Sequence, residues 1–153
     1  MFRISFILII ALLINACSYD CGKSDGLTIN FVGYTPVEVK FYTIKKYVKG
    51  SAFNSYIDSL VVDSSRIGYN LSNDTLIVTS SSGRVSLLSN FDYKIIIPSL
   101  NHVYEITELY EPQQQSKKGF LSTTKEYCIN SIQAGKVNGL PASIKSLSLY
   151  IKK

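Results

Sequence analysis

Leu27-Thr28-Ile29-Asn30-Phe31 alternates apolar and polar residues one for one. A period of two marks a strand with one face buried, because successive side chains point to opposite sides of a sheet. The same pattern recurs outward along the chain. Beyond Gly33 and the Thr35-Pro36 corner, Val37, Val39 and Phe41 alternate with Glu38, Lys40 and Tyr42. This predicts a second strand that runs on toward Val48, with a change of face near Ile44, and ends at Lys49-Gly50. Residues 52–57 form either one helical turn or an irregular loop held by Phe53 and Ile57. Further strands are expected over 59–63, 75–80, 84–88, 93–98, 103–111, 119–122, 127–134 and 146–152. Turn signals separate them at Ser72-Asn73-Asp74, Ser82-Gly83, Asn90, Ser99-Leu100-Asn101 and Asn138-Gly139. Seven to nine short strands with hardly any helical period predict an all-β fold, a β-sandwich or a barrel. Eleven tyrosines, no tryptophan and abundant Ser, Thr, Ile and Val agree with it.

One segment favours a sandwich. Leu88-Ser89-Asn90-Phe91-Asp92-Tyr93-Lys94-Ile95 resembles the corner of immunoglobulin- and fibronectin-like sandwiches. There a tyrosine near a strand start bonds back to upstream backbone. The resemblance implies that role for Tyr93, with Ile95 and Ile97 following it on one face. The alternative is an ordinary half-buried strand tyrosine.

The N-terminus speaks to location. Arg3 is followed by an apolar run from Ile4 to Ile14 broken only by Ser5. One basic residue and about ten apolar ones make the n- and h-regions of a secretory signal. A spanning helix needs roughly 20 apolar residues, so this run is too short to anchor the chain as a helix. Leu13-Ile14-Asn15-Ala16-Cys17 resembles the lipobox of bacterial lipoproteins, although Ile14 stands where Leu is commoner and Asn15 where a small residue is usual. The resemblance implies cleavage before Cys17 by signal peptidase II and acylation of Cys17. It divides the chain into a signal peptide (1–16), a lipidated tether (17–25) and a β-sandwich domain (26–153). It places the protein at the outer membrane, lipid-anchored and facing the periplasm or the cell surface, with the membrane as its first partner. An ordinary signal peptide with an unmodified Cys17 is the alternative. The composition is also similar to that of small Bacteroidota lipoproteins. Asp58-Ser59-Leu60 and Asp74-Thr75-Leu76 resemble the O-glycosylation acceptors of that phylum, which makes Ser59 and Thr75 candidate sites.

The chain has three cysteines, Cys17, Cys21 and Cys128. Acylation of Cys17 leaves an even pair, and export permits disulfides. A Cys21–Cys128 bridge is therefore expected. It would fasten the tether to a C-terminal hairpin formed by 127–134 and 146–152. Two free thiols are the alternative. His102 is the single histidine, so no zinc site and no other metal or cofactor is expected. The net charge of +5, or +4 once Arg3 is removed, is spread over scattered lysines with no long basic run. Nucleic acid is not an expected partner.

Enzymatic chemistry finds little footing. A serine triad would have to use His102, which follows the turn signal Ser99-Leu100-Asn101, and no Gly-x-Ser-x-Gly elbow occurs. Ser122-Thr123-Thr124-Lys125 matches the Ser-x-x-Lys motif of penicillin-binding proteins but lacks the Ser-Asp-Asn and Lys-Thr-Gly partners. Glu105, Glu108 and Glu111 fall on a strand, where Glu105 and Glu111 share one face and Glu108 takes the other. Tyr34, Tyr42, Tyr47, Tyr56, Tyr69, Tyr104 and Tyr110 are too many for one core; an exposed cluster would suit sugars or a protein. The expected function is a non-enzymatic interaction or accessory module of the cell envelope with a protein partner. A glycan-binding surface lipoprotein is the alternative.

Overall fold

The computed structural model describes residues 18–19, 26–63, 68–72, 75–79, 86–112, 116–117 and 131–153. The chain divides into two compact units, one of residues 1–23 and 112–130, the other of 24–111 and 131–153. In the first, β1 (Ser18–Tyr19) pairs antiparallel with β9 (Ser116–Lys117). The second unit holds the remaining strands: β2 (Thr28–Val32), β3 (Phe41–Val48), β4 (Tyr56–Asp63), β5 (Gly68–Ser72), β6 (Thr75–Thr79), β7 (Phe91–Ile97), β8 (His102–Tyr110), β10 (Ala134–Val137), β11 (Leu140–Pro141), β12 (Ser143–Lys145) and β13 (Ser148–Lys152).

These strands form two sheets, ordered β11-β10-β8-β7-β3-β4 and β12-β13-β2-β6-β5. Ile29, Phe31, Leu76, Leu149 and Ile151 of one sheet and Tyr42, Ile44, Val62, Ile95, Ile97 and Ile106 of the other belong to one buried cluster. The unit is thus a β-sandwich, closed by the alternation that the sequence displays. Its topology is immunoglobulin-like. In that fold seven strands B, C, C′, D, E, F and G divide into B-E-D and C′-C-F-G. Here β2 to β8, taken in chain order, divide into β2-β6-β5 and β4-β3-β7-β8. Tyr93 sits near the start of the F-equivalent strand, where the corner tyrosine belongs. Its hydroxyl accepts from the Leu88 N–H at 2.8 Å and donates to the Leu88 carbonyl at 3.3 Å.

The place of strand A, beside β2, is taken by β13 from the far end of the chain. It runs parallel to β2, with Ser148 opposite Thr28 and Lys152 opposite Val32. This overturns the expected hairpin between 127–134 and 146–152. Instead β13 pairs with β12 and β2, while β10 pairs with β8 and β11 in the other sheet. The physical cause is two consecutive tight turns. Asn138 (φ 50°) and Gly139 (φ 77°) close a two-residue hairpin between Val137 and Leu140. Ser146 (φ 46°) and Leu147 (φ 61°) close another between Lys145 and Ser148. Positive φ at both central positions is the type I′ geometry, whose twist matches that of paired strands.

Two other expectations are corrected. No strand runs through Val37 and Val39: residues 36–39 form a turn, β3 begins only at Phe41, and Val37 is 80 % exposed. Thr35 and Glu38 make this turn. The Thr35 N–H donates to Glu38 Oε2 at 3.0 Å, and the Glu38 and Val39 N–H groups donate to the Thr35 carbonyl. Thr-x-x-Glu with proline in second place is a capping box, which starts a helical turn rather than a strand. The face of β8 also changes along its length. Tyr104, Ile106 and Leu109 are buried, because Glu108 (φ 53°) and Leu109 together oppose Gly135 on β10. This bulge shifts the alternation by one residue, so the carboxylates of Glu105, Glu108 and Glu111 do not divide between faces as simple alternation requires. The 84–88 strand reduces, within 86–88, to a single bridge between Leu87 and Leu27. The segment 119–122 lies outside the described residues.

Candidate functional site

The strand Tyr56-Ile57-Asp58-Ser59-Leu60-Val61-Val62-Asp63 is the last in the six-stranded sheet. It is set by the loop before it. The Val48 N–H donates to the Ser55 carbonyl at 2.9 Å, and the Gly50 N–H donates to Asp92 Oδ2 at 2.7 Å. Lys49 Nζ donates to the Ser89 and Leu109 carbonyls, both at 2.7 Å. Phe53 packs edge-on against Tyr47, with Lys94 Nζ 4.4 Å from its ring centre. A loop pinned at so many points fixes the direction in which β4 leaves. Tyr42, Ile44 and Lys46 of β3 stand opposite Val62, Leu60 and Asp58. Tyr47 stands opposite Tyr56, so Ile57 is an extra residue and bulges.

The exposure of β4 is unusual. Six of its eight residues, 56–61, are exposed. The exposed fractions are 56 % for Tyr56, 42 % for Ile57, 50 % for Leu60 and 68 % for Val61. Leu60 shares the core-facing side with buried Val62, and Val61 is on the outer side. Both sides of the strand therefore show apolar surface to solvent. The sandwich core does not reach over Leu60, although its neighbour Ile44 is buried.

The outer side of the sheet continues this surface. Val61, Thr43, Ile96 and Val103 stand opposite one another across β4, β3, β7 and β8. Val103 and nearby Phe41 are also exposed. The next row, Ser59, Lys45, Lys94 and Glu105, is polar, and Lys94 pairs with Glu105 at 2.8 Å. An apolar row bounded by a charged one is the pattern of a contact surface with a soluble rim.

No family model, curated protein or solved structure matches this chain. The other edges of the sandwich differ from β4. β11 is two residues long and ends in Pro141, β12 is three residues long and ends in Lys145, and β5 has five residues starting with Gly68. Short length, proline and lysine are the usual devices that keep an edge from pairing. β4 has eight residues and neither proline nor lysine; its protection is confined to the first half, where Ile57 bulges and Asp58 accepts from the Ser59 N–H, and leaves the apolar run from Leu60 to Val62.

The residues singled out in the sequence are dispersed. Cys17, Cys21, Cys128, Ser122 and Lys125 lie outside the described residues. Ser59 is exposed in the middle of β4, and its N–H donates to Asp58 Oδ1 at 2.7 Å. Thr75 is half-buried at the start of β6, between β2 and β5. His102 begins β8, and its Nδ1 is 3.4 Å from the Tyr104 hydroxyl. That hydroxyl donates to the Lys152 carbonyl at 3.2 Å and contacts the Tyr34 hydroxyl. Burial and the bond to Tyr104 push the Tyr34 phenol well above its usual range, and the Tyr104 bond to the Lys152 carbonyl ties β8 to β13. Among the described residues no group of three or more His, Cys, Asp and Glu is placed to hold a metal. Tyr34, Tyr42, Tyr47 and Tyr104 are core residues, whereas Tyr56 and Tyr110 are exposed on different strands; Tyr69 is in β5. Sequence reasoning took 59–63 for an ordinary strand. Its run Leu60-Val61-Val62, apolar on both sides, signals a strand covered on both faces and does not by itself mark an edge.

Proposed function

We propose that this protein is a lipid-anchored, non-enzymatic interaction module of the cell envelope that receives a protein partner along β4. The observation that carries the reading is the edge itself: eight residues, apolar on both sides, without the blocking residues found on β11 and β12. A strand added there gains main-chain hydrogen bonds and side-chain contacts together, the mode of β-augmentation. Anchoring is supported by the signal-like run and by Ala16-Cys17. Acylation of Cys17 would confine the protein to the outer membrane and raise its local concentration toward a partner there. A Cys21–Cys128 bridge would shorten the tether.

Glycan binding gains less support. Stacking on sugars needs neighbouring exposed rings, and among the described residues the exposed aromatic ones, Phe41, Tyr56 and Tyr110, are on three strands and in no common row.

The test places a photoreactive benzophenone amino acid at Val61, and separately at Lys145, in the full chain expressed in its own membrane. Protein adducts are expected at Val61 and not at Lys145. Equal labelling at the two positions, or none at Val61, would overturn the reading. A fatty-acid probe should label the wild type and not Cys17→Ser; equal labelling of both would remove the anchor from the proposal.

A further inference from the structure

We infer that the occupant of β4 is a second copy of this chain, paired antiparallel across a two-fold axis at Leu60. The inference rests on the reading of β4 as a contact edge and goes beyond it by naming the partner.

A foreign peptide strand would satisfy the edge but cover its flanks poorly. A second sandwich brings a like edge, whose exposed Leu60 and Val61 line the seam on the two sides of the sheet. When two copies extend each other's sheet about an axis perpendicular to it, their core-facing sides stay on the same side. Only residues of like face can then stand opposite each other. An axis at Leu60 meets this condition. Leu60 then faces Leu60 of the second copy, on the side where its own core leaves it half covered. Val61 faces Ser59, Asp58 faces Val62, and Ile57 faces Asp63. No acid stands opposite an acid, and every directly opposed pair includes an apolar side chain.

Charge and area both permit the pairing. Lys45 and Lys46 belong to β3, one strand in from the edge, so neither stands at the seam. Residues 57–63 of two copies expose on the order of 1,000 Å² in total, so their pairing covers less than that and makes a weak, concentration-dependent dimer. The contact is isologous and closes at two copies, which consumes the open edge and leaves no end for further growth. The product is a continuous sheet in which β4 is interior.

Sedimentation velocity of the full chain over a concentration series tests this. The wild type should pass from monomer to dimer. Leu60→Lys places two ammonium groups face to face and should weaken the dimer at least tenfold with an unchanged far-UV spectrum. Val103→Lys, on the same sheet but away from the edge, should dimerise like the wild type. Should Leu60→Lys lose its fold, Leu60→Cys replaces it: mild oxidation should give a disulfide-linked dimer well beyond the wild-type level, since directly opposed Cα atoms are roughly 5 Å apart. Val103→Cys should not do so. A wild type that stays monomeric throughout, or a dimer indifferent to Leu60→Lys, overturns the inference. The benzophenone adducts separate this failure from the broader one. A Val61 adduct of twice the chain mass agrees with a second copy. An adduct of another mass overturns the second copy and leaves β4 a contact edge. No Val61 adduct removes both.

Discussion

At the scale of single residues, two short motifs determine how strands meet. Tyr93 joins its own strand to the corner before it, because its hydroxyl both accepts from and donates to the Leu88 backbone. Burial raises the Tyr93 phenol above its usual range, against the opposing pull of the Leu88 backbone bond, so it stays neutral. Tyr93→Phe removes both bonds and keeps the ring in the core. It should lower stability by about 1–2 kcal/mol, the cost of two neutral hydrogen bonds at a partly covered site, read as a shift of the urea midpoint at unchanged slope. No change would reduce Tyr93 to an ordinary strand tyrosine. Thr35 and Glu38 act in the same local way. Glu38 also meets Lys153 Nζ at 2.6 Å, and the Lys153 ammonium, followed by the Thr35 N–H, holds its carboxyl below the usual range. This motif was legible in Thr35-Pro36-Val37-Glu38, but alternation through Val37, Val39 and Phe41 masks it. A period-two pattern over five residues cannot by itself outweigh a proline-led capping box.

At the scale of elements, turns rather than strands decide the pairing. Asn138-Gly139 suits its type I′ turn, whereas Ser146-Leu147 holds the same geometry with two residues that resist positive φ. The second turn persists because its Leu147 carbonyl accepts from both the Thr28 N–H (2.9 Å) and the Thr28 hydroxyl (3.2 Å). Replacing Ser146 with Asn and Leu147 with Gly should therefore raise stability by about 1 kcal/mol, since αL strain is relieved and the backbone bond is kept. Gly139→Ala should cost about as much, for conformational reasons alone: no atom lies within 4 Å of the added Cβ. Thermal melts of the two variants should move in opposite directions; movement in the same direction would contradict the assignment of strain. The Asn-Gly turn was visible in the sequence. The Ser-Leu turn was not, because its stability comes from Thr28, more than a hundred residues away along the chain.

At the scale of the whole molecule, β13 closes the sandwich. It lies between β12 and β2 and contributes Leu149 and Ile151, both fully buried. Ending the chain at Leu147 removes these side chains and strips β2 of a neighbour along its full length. Loss of two such core residues at about 2–5 kcal/mol each is comparable with the whole stability of a domain. The truncated chain should show no cooperative unfolding transition by circular dichroism. A retained transition near the wild-type midpoint would mean that β13 is dispensable. The parallel pairing of β13 with β2 spans nearly the full domain, a contact of high sequence separation, so it should also form late in folding.

Local pattern alone determined that this chain is all-β and that Leu27, Ile29 and Phe31 face the core, and it offered Tyr93 a corner role beside that of an ordinary strand tyrosine, between which the Leu88 bonds decided. Each depends on residues within a few positions of one another, where period and turn chemistry act directly. The tertiary structure alone decided three things. β13 takes the place of a first strand, since a parallel partner leaves no turn signal between the two. Glu108 shifts the face of β8, because a bulge is defined by what stands opposite, here Gly135. And among the described residues β4 is the last strand of its sheet: an apolar run looks the same at the centre of a sheet as at its margin, and only the assembled sheets show on which it lies.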